Sequence, residues 1–355
     1  MRRYFMESLI KNWDGETVVI RHDKESDAWI FIAVHSTRLG LGAGGTRMKN
    51  YPELNLALQD ALRLSEAMTY KYAVANFPQG GAKAVIALPV GFDPADRPDL
   101  LRRYGKLVKS LGGLYSAGPD VGTSPADMDI IAETGAPFIH ACTPAAGGKG
   151  DSGGPTARGV FCGIQATLEY MFGNPSVMGK RILVQGTGGV GSSLIERLLT
   201  AGAEVLFSEV SESAIHHYRD EKGLQYISPE IVFDTTCDIF SPCAMGGILN
   251  KESIPRLQCR AVVGGANLQL AEPEDMNRLQ KRGILYAPDF VVNIGGAMAI
   301  TGMEAMGWTR KEAEEHVCRV RVTLLRVYEL AEKNGISTDA AARQIALENL
   351  NHATK

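Results

Sequence analysis

No apolar run in the chain reaches the roughly 20 residues that a membrane-spanning helix needs. The six cysteines, Cys142, Cys162, Cys237, Cys243, Cys259 and Cys318, include no C-x-x-C pair and have no histidine cluster beside them. Zinc-site spacing is therefore absent, and free thiols in a reducing cytoplasm are the simpler reading. The formal net charge of −3 favours neither nucleic acid nor an anionic membrane as partner. No internal repeat or low-complexity segment interrupts the chain. The opening MRRYFMESLIKNWDGE lacks a long apolar stretch and a small-residue cleavage site, so it reads as the start of a mature cytoplasmic protein. What remains is an ordinary globular composition at 355 residues, more than one hydrophobic core usually serves, and two domains are expected.

The first part alternates strand and helix signals. ETVVIRHD and WIFIAVHS are β-rich. In PELNLALQDALRLSEAMTYK, Leu54, Leu58, Ala61, Leu62, Ser65 and Met68 recur at helical spacing. KAVIALP reads as a strand, and DLLRRYGKLVKSLGG as a helix stopped by glycines. The glycine-rich CTPAAGGKGDSGGPT, Cys142 to Thr156, reads as a loop or hinge. Beyond it come strand-turn-helix units and short apolar segments ending in small or polar residues, the pattern of a parallel α/β sheet. A long helix is expected from near Thr309, with Glu312 completing a T-x-x-E capping box and Gly335 as the stop. A last helix follows a Ser337 or Thr338 cap.

Gly186-Thr187-Gly188-Gly189-Val190-Gly191 forms a G-x-G-x-x-G. By itself that is weak, but here a strand precedes it, an apolar helix follows, and Glu209 ends the next strand about 20 residues on. The first glycine makes the turn, the second admits a pyrophosphate, and the third packs helix on strand. The helix N-terminus faces the phosphates. Glu209 would accept ribose hydroxyls and repel a 2′-phosphate, which favours NAD over NADP. The second half thus reads as a Rossmann-type dinucleotide-binding domain. Gly150 to Pro155, GDSGGP, mimic the nucleophile motif of trypsin-like proteases. Such a triad needs an all-β, usually disulfide-bonded domain, and His35 has the wrong sequence context. Ser152 reads as a hinge residue.

MTYKYAVANFPQGGAK places Lys71 and Lys83 twelve residues apart in apolar company. A helix end and a strand start, joined through a Gly80-Gly81 turn, would bring both ammonium groups into one cleft. Neighbouring cations and burial each disfavour charge, so a lysine held this way can serve as a general base. The other can bind a carboxylate. Asp120, in SAGPDVGTSPADMDII, would accept protons from an amine. The simpler alternative is that both lysines reach water and Asp120 caps the following helix.

Together these segments resemble the leucine, valine and phenylalanine dehydrogenases of the wider glutamate dehydrogenase family over nearly the whole chain. The motifs are GAGGTRM (42–48), MTYK (68–71), GGAKAVI (80–86), GPDVGT (118–123), QGTGGVG (185–191), CDIFSPCAMGG (237–247), GGANLQL (264–270) and APDFVVNIGG (287–296). The resemblance implies reversible, NAD-dependent oxidative deamination of an L-amino acid to a 2-oxo acid and ammonia. It implies a substrate and oligomerisation domain at 1–145, completed by helices at about 330–355, and an NAD domain at 146–329. A cleft between them would close over the substrate, and the assembly would be a homo-oligomer, dimer to octamer. Carried onto this chain, Lys71 would bind the substrate carboxylate, Lys83 would be the catalytic acid/base acting on water, and Asp120 would bind the amino group. Asn267 and Asn293 would lie near nicotinamide and substrate. Thr156 would contact the nicotinamide amide, and Ala244, Met245 and Ala266 would line the cofactor cleft. Gly44 and Gly45 would let substrate approach the backbone.

Three positions depart from the family pattern: Ala82 before Lys83, Leu268 after Asn267, and Ile294 after Asn293. The side-chain pocket implied by the resemblance contains Ala43, Gly118, Ala297 and Ile300. Three of these are small, which favours a bulky apolar or aromatic side chain such as that of phenylalanine. Branched-chain substrates are the alternative. No cation stands out for a second substrate carboxylate, as glutamate would need. Two other classes compete: a Schiff-base enzyme using Lys83, opposed by the dinucleotide turn, and a non-catalytic NAD and amino-acid sensor, opposed by the complete Lys71, Lys83 and Asp120 set.

Overall fold

The strand-like segments WIFIAVHS and KAVIALP become neighbouring strands of a five-stranded sheet in the computed structural model, which describes residues 3–353. The chain forms two units, Met1–Asp151 with Ala346–Lys355, and Ser152–Ile345. In the first, α1 (Arg3–Asn12) precedes β1 (Thr17–Asp23), β2 (Ala28–Ser36), β3 (Gly42–Asn50), α2 (Leu54–Val74), β4 (Gly80–Leu88), α3 (Arg97–Ser110), β5 (Tyr115–Pro119) and α4 (Pro125–Gly135). The sheet order is β1-β2-β4-β3-β5. β1, β2 and β4 pair antiparallel, whereas β4-β3 and β3-β5 are parallel.

Both faces of this sheet are covered, which explains why β4 is buried along nearly its whole length. Ala82, Ala84 and Ile86 pack with Leu100, Tyr104 and Met128 of α3 and α4. The alternate residues Val85 and Ala87 pack with Ala57, Leu58, Ala61 and Leu62 of α2. Because side chains alternate along a strand, Lys83 lies on the α2 face.

The second unit begins at α5 (Gly153–Phe172) and continues β6 (Arg181–Gln185), α6 (Gly189–Thr200), β7 (Glu204–Ser208), α7 (Glu212–His216), β8 (Gln225–Tyr226), β9 (Cys237–Pro242), β10 (Cys259–Val262), α8 (Asp275–Lys281), β11 (Leu285–Tyr286), α9 (Asp289–Val292), α10 (Gly295–Ala305), α11 (Arg310–Cys318), α12 (Val320–Asn334) and α13 (Thr338–His352). Its sheet, β11-β10-β9-β6-β7-β8, is parallel throughout. This is the Rossmann-type arrangement expected, with helices on a parallel sheet.

Several local expectations hold and several are corrected. Thr309 and Glu312 form a reciprocal capping box, and Gly335 ends α12 at φ +63°. The single long helix expected from Thr309 is instead two, α11 and α12, interrupted at Arg319. Ser337, not Thr338, caps α13: its Oγ accepts from Ala340 N at 3.2 Å. The glycine-rich linker ends earlier than expected, because Gly153 to Thr156 form the first turn of α5. Gly80 and Gly81 do not make a turn; they open β4. Return to the first unit starts at Ala346 rather than near residue 330. The reason is that α12 packs on α5, with Tyr328 OH 2.8 Å from Thr167 Oγ1. Within the first unit, Asn349 Nδ2 donates to Ala73 O at the end of α2, 2.8 Å away.

Candidate active site

Lys83, Gly45 and Gly118 lie on three adjacent strands, and Gly45 pairs directly with Gly118. Asp120 follows β5, and its Oδ2 reaches Lys83 Nζ at 2.8 Å. The pair closes over Gly45. A Cβ built there would lie 2.8 Å from Asp120 Cβ and 3.1 Å from Lys83 Nζ. Glycine is thus required for the two charged groups to meet. Asp120 is anchored by a turn in which its N–H donates to Thr123 Oγ1 at 2.9 Å and Thr123 N–H to Asp120 O at 2.9 Å. Asp120 is not a helix cap: Ser124 caps α4, with Asp127 completing the box.

Burial alone would raise the Asp120 pKa. The Lys83 ammonium and the Arg47 guanidinium outweigh it and hold the carboxyl at about 2. Arg47 escaped the sequence reading although it lies inside GAGGTRM. Two residues after Gly45, it shares the α2 face, and its Nε donates to the same Asp120 Oδ2 at 3.0 Å. Its Nη1 donates to Asp60 of α2 at 2.9 Å, and Tyr51 OH donates to Asp60 at 2.7 Å. A lone arginine in a strand of small residues was the available signal, but its partners become visible only with the strand register. On the opposite face, Tyr115 OH donates to Gly44 O at 3.0 Å, and Thr46 Oγ1 lies 2.8 Å from Tyr104 OH.

Lys71 is half-buried in the last turn of α2. Gly81 explains how α2 comes so close to β4, because a Cβ on Gly81 would run into the Thr69 backbone. The lysine-bearing helix and the lysine-bearing strand therefore touch two residues before each lysine. The close approach expected at Gly44 is made by the chain itself, since a Cβ there would collide with the Ala82 carbonyl. Ala82 points into the opposite core, away from Lys83. Ala43 is buried in β3, and a Cβ on Gly118 would meet nothing within 4 Å.

In the second unit, each glycine of the dinucleotide turn has a separate physical reason. Gly186 has φ +89°, and a Cβ on it would lie 2.7 Å from Ala244 Cβ. Gly188 is exposed, with nothing within 4 Å of its Cβ position. Gly191 packs on the Gly186 carbonyl so closely that no side chain fits. Gly189 and Val190 begin α6, which presents its N-terminus at the open side. That open cradle fits a dinucleotide pyrophosphate. Glu209 differs from expectation. Its carboxylate accepts Thr187 N–H at 2.7 Å, Thr187 Oγ1–H at 2.8 Å, Val210 N–H at 2.7 Å and Ser211 N–H at 3.2 Å. Burial raises its pKa, but these donors prevail and lower it. Its acceptor sites are thus engaged by its own loop.

Ala244 and Met245 are exposed beyond β9, whereas Ala266 is buried. Asn293 and Asn267 are brought together, with Asn293 Nδ2 donating to Asn267 Oδ1 at 2.8 Å. Asn293 Oδ1 and Gln185 Oε1 are buried acceptors without a hydrogen-bond partner among the described residues, so each can take a donor from a ligand. Ala297 and Ile300 share one face of α10 by their three-residue spacing. Thr156, on the first turn of α5, packs under Gly296, where a Cβ would lie 2.5 Å from Thr156 Oγ1. Ser152 precedes α5 and touches the same glycine, and Ile294 is buried in the core. Leu268 has φ +52°, a left-handed conformation that asparagine tolerates better than leucine. Leu268→Asn is expected to stabilise the protein by about 1 kcal/mol, read as a higher midpoint in urea unfolding; an unchanged or lower midpoint would contradict the strain.

Residues 17–136 match the Glu/Leu/Phe/Val dehydrogenase dimerisation domain, and residues 207–355 match the Glutamate/Leucine/Phenylalanine/Valine dehydrogenase domain. The leucine dehydrogenase of Thermoactinomyces intermedius is 37% identical over 342 residues, covering 96% of this chain and 92% of that protein. The phenylalanine dehydrogenase of Lysinibacillus sphaericus is 38% identical over 335 residues, 93% of this chain and 87% of that protein. The crystal structure of L-tryptophan dehydrogenase from Nostoc punctiforme has a TM-score of 0.85 at 34% identity, covering 98% of this chain and 99% of that chain. With both family domains present and relatives of this similarity along nearly its whole length, the chain belongs to the Glu/Leu/Phe/Val dehydrogenase family and is an amino acid dehydrogenase, an oxidoreductase acting on CH–NH2 donors.

Proposed function

We propose that this amino acid dehydrogenase uses NAD and acts on a bulky apolar or aromatic L-amino acid, phenylalanine-like in size. The observation that carries the catalytic reading is the Lys83–Asp120 pair closing over Gly45. Lys71 holds the substrate carboxylate as a fixed cation. Asp120, anionic at neutral pH, accepts hydrogen bonds from the substrate amine. Bound NAD supplies the hydride acceptor for the substrate α-carbon. Lys83 Nζ exchanges protons with the water that attacks the resulting imine carbon, and ammonia leaves. The net change is amino acid plus NAD and water to 2-oxo acid, ammonium, NADH and a proton. Asn293 and Asn267 would lie near the nicotinamide and substrate, and Thr156 would contact the nicotinamide amide. Gly186 to Gly191, Ala244, Met245 and Ala266 would hold the cofactor. The charge of Glu209 argues for NAD, because a 2′-phosphate there meets a carboxylate held ionised by four donors.

The open space at Gly118 supports a large side chain; Ala43, Ala297 and Ile300 are the other pocket residues that the family resemblance implies. Gly118→Leu is expected to lower kcat/KM for phenylalanine by about 10- to 200-fold while the small aliphatic substrates lose less. An unaltered ratio between phenylalanine and valine would remove Gly118 from the pocket. The branched-chain alternative rests on the leucine dehydrogenases among the relatives. Reduction of NAD followed at 340 nm against a panel of L-amino acids at alkaline pH tests both readings. Turnover of leucine and valine well above phenylalanine would select the alternative, and turnover only with NADP would overturn the cofactor. The match to a dimerisation domain supports a homo-oligomer, and we place the enzyme in the cytoplasm, with amino acid, 2-oxo acid and ammonia as its small-molecule partners.

A further inference from the structure

The Lys83–Asp120 pair is one end of a longer run of charge. Asp120 Oδ2 takes two cations at once, Lys83 Nζ from β4 at 2.8 Å and Arg47 Nε from β3 at 3.0 Å. Arg47 Nη1 then donates to Asp60 Oδ2 of α2 at 2.9 Å. Asp60 is itself held from two further directions. Tyr51 OH donates to the same oxygen at 2.7 Å, and Arg63 Nη2 donates to Oδ1 at 2.9 Å. The Arg47 and Asp60 side chains are only 16% and 12% exposed, so this ion pair lies largely out of water.

A guanidinium suits this position and an ammonium does not. Its planar fork presents several N–H donors in fixed directions, so one group spans two carboxylates, whereas a lysine offers a single nitrogen. Burial disfavours the Arg47 charge, but Asp120 and Asp60 more than restore it. Burial likewise raises Asp60, but Tyr51, Arg47 and Arg63 hold it below the ordinary carboxyl range. Arg47 therefore stays cationic through a cycle in which Lys83 gives up a proton. With Lys83 as sole counter-ion, Asp120 would be left buried and unpaired at that moment, a state that burial penalises heavily.

We propose that Arg47 is a positioning residue of the reaction: pinned by Asp60, it keeps hold of Asp120 Oδ2 while Lys83 exchanges its proton, so that the carboxylate stays paired and aimed at the substrate amine. The role rests on the catalytic reading of Lys83 and Asp120. The charged and titratable groups around Asp120 are Lys83 of β4, Arg47 of β3, Tyr115 of β5 and, beyond Arg47, Asp60 of α2 and Tyr51. Because Lys83 and Arg47 converge on one oxygen, removing the Arg47 charge makes a proton in this cluster harder to lose. Removing the Asp60 charge makes it easier.

The test is steady-state kinetics of the full-length enzyme over a pH series, with NAD and the amino acid it turns over fastest. The variants are Arg47→Met, Arg47→Lys, Asp60→Asn, Asp120→Asn and the Arg47→Met/Asp120→Asn double variant. Arg47→Met is expected to lower kcat on the order of 10²-fold, the scale of a misplaced catalytic group, and to move the rising limb of kcat/KM toward alkaline pH. Arg47→Lys keeps the charge but not the span, so kcat falls while the limb stays near its parental pH. Asp60→Asn is expected to move the limb toward acid. The double variant falls no further than Asp120→Asn alone, since Arg47 acts through that carboxylate. A parental limb in Arg47→Met, or losses that multiply in the double variant, would overturn the proposal while leaving the catalytic pair in place. Parental kcat in Asp120→Asn would remove the catalytic reading, and the role of Arg47 with it. Where Arg47→Met folds poorly, Asp60→Asn carries the decision: a limb at or above the parental pH there counts against Arg47.

Discussion

Lys83→Ala is expected to reduce kcat by about 10²- to 10⁴-fold, the span of a positioned acid/base group. Lys71→Ala is expected to act chiefly on KM, because a cation that holds the carboxylate binds ground state and transition state alike. Steady-state kinetics on both variants with the preferred amino acid separates the roles. Full activity in Lys83→Ala, or the same KM effect in both, would dismiss the assignment. The same substitution has a second signature. Asp120 sits at about 2 against an ordinary value of 3.8, and its side chain is only 16% exposed. Its pairing therefore contributes on the order of 2 kcal/mol. That stability is present above the ordinary carboxylate pKa and is lost as pH falls toward 2. Without Lys83, the Arg47 guanidinium and the Val121 backbone N–H are left to offset the burial of Asp120. Acid unfolding followed by circular dichroism should then begin at a higher pH than in the parent, which separates a charge effect from simple loss of fold.

Gly45→Ala should be nearly as damaging, for a different reason. The added methyl lies 2.7 Å from Pro119 O as well as between Asp120 and Lys83. Two strands and an ion pair must yield to one atom, and overpacking of this kind costs about 1–3 kcal/mol. The expected result is a lower melting temperature together with a fall in kcat that exceeds what stability explains, since the variant is assayed well below its melting point. A methyl group that left both kcat and melting temperature unchanged would mean that Lys83 and Asp120 do not need to meet across this strand.

The sequence made some of this legible because certain signals admit one physical reading. A strand, G-x-G-x-x-G and an apolar helix in that order leave little choice, and the three glycines took up the separate positions their roles require. WIFIAVHS is rich in β-branched and aromatic residues, so its strand was visible. The strand Gly42–Asn50 was not, because its glycines are poor strand formers whose reason lies in neighbours that are distant in sequence. Gly80-Gly81 illustrates the same limit. The dipeptide suits a tight turn or a close approach, and only Thr69 lying against Gly81 distinguishes them. Arg47 required the register that puts positions 45, 47 and 83 on one face. Glu209 was placed correctly at a strand end, but its attachment to Thr187 depends on loop geometry that spacing does not encode.

That attachment bears on any attempt to change the cofactor. The carboxylate of Glu209 is a latch as well as a charge: it fastens the tip of the glycine turn to the end of the adjoining strand. Swapping it for a basic or apolar residue to admit a phosphorylated nucleotide would unfasten the turn in the same stroke, leaving the Thr187 amide and hydroxyl without that acceptor. A redesign for NADP must therefore provide two things at separate positions, a cation for the phosphate and a fresh acceptor for Thr187.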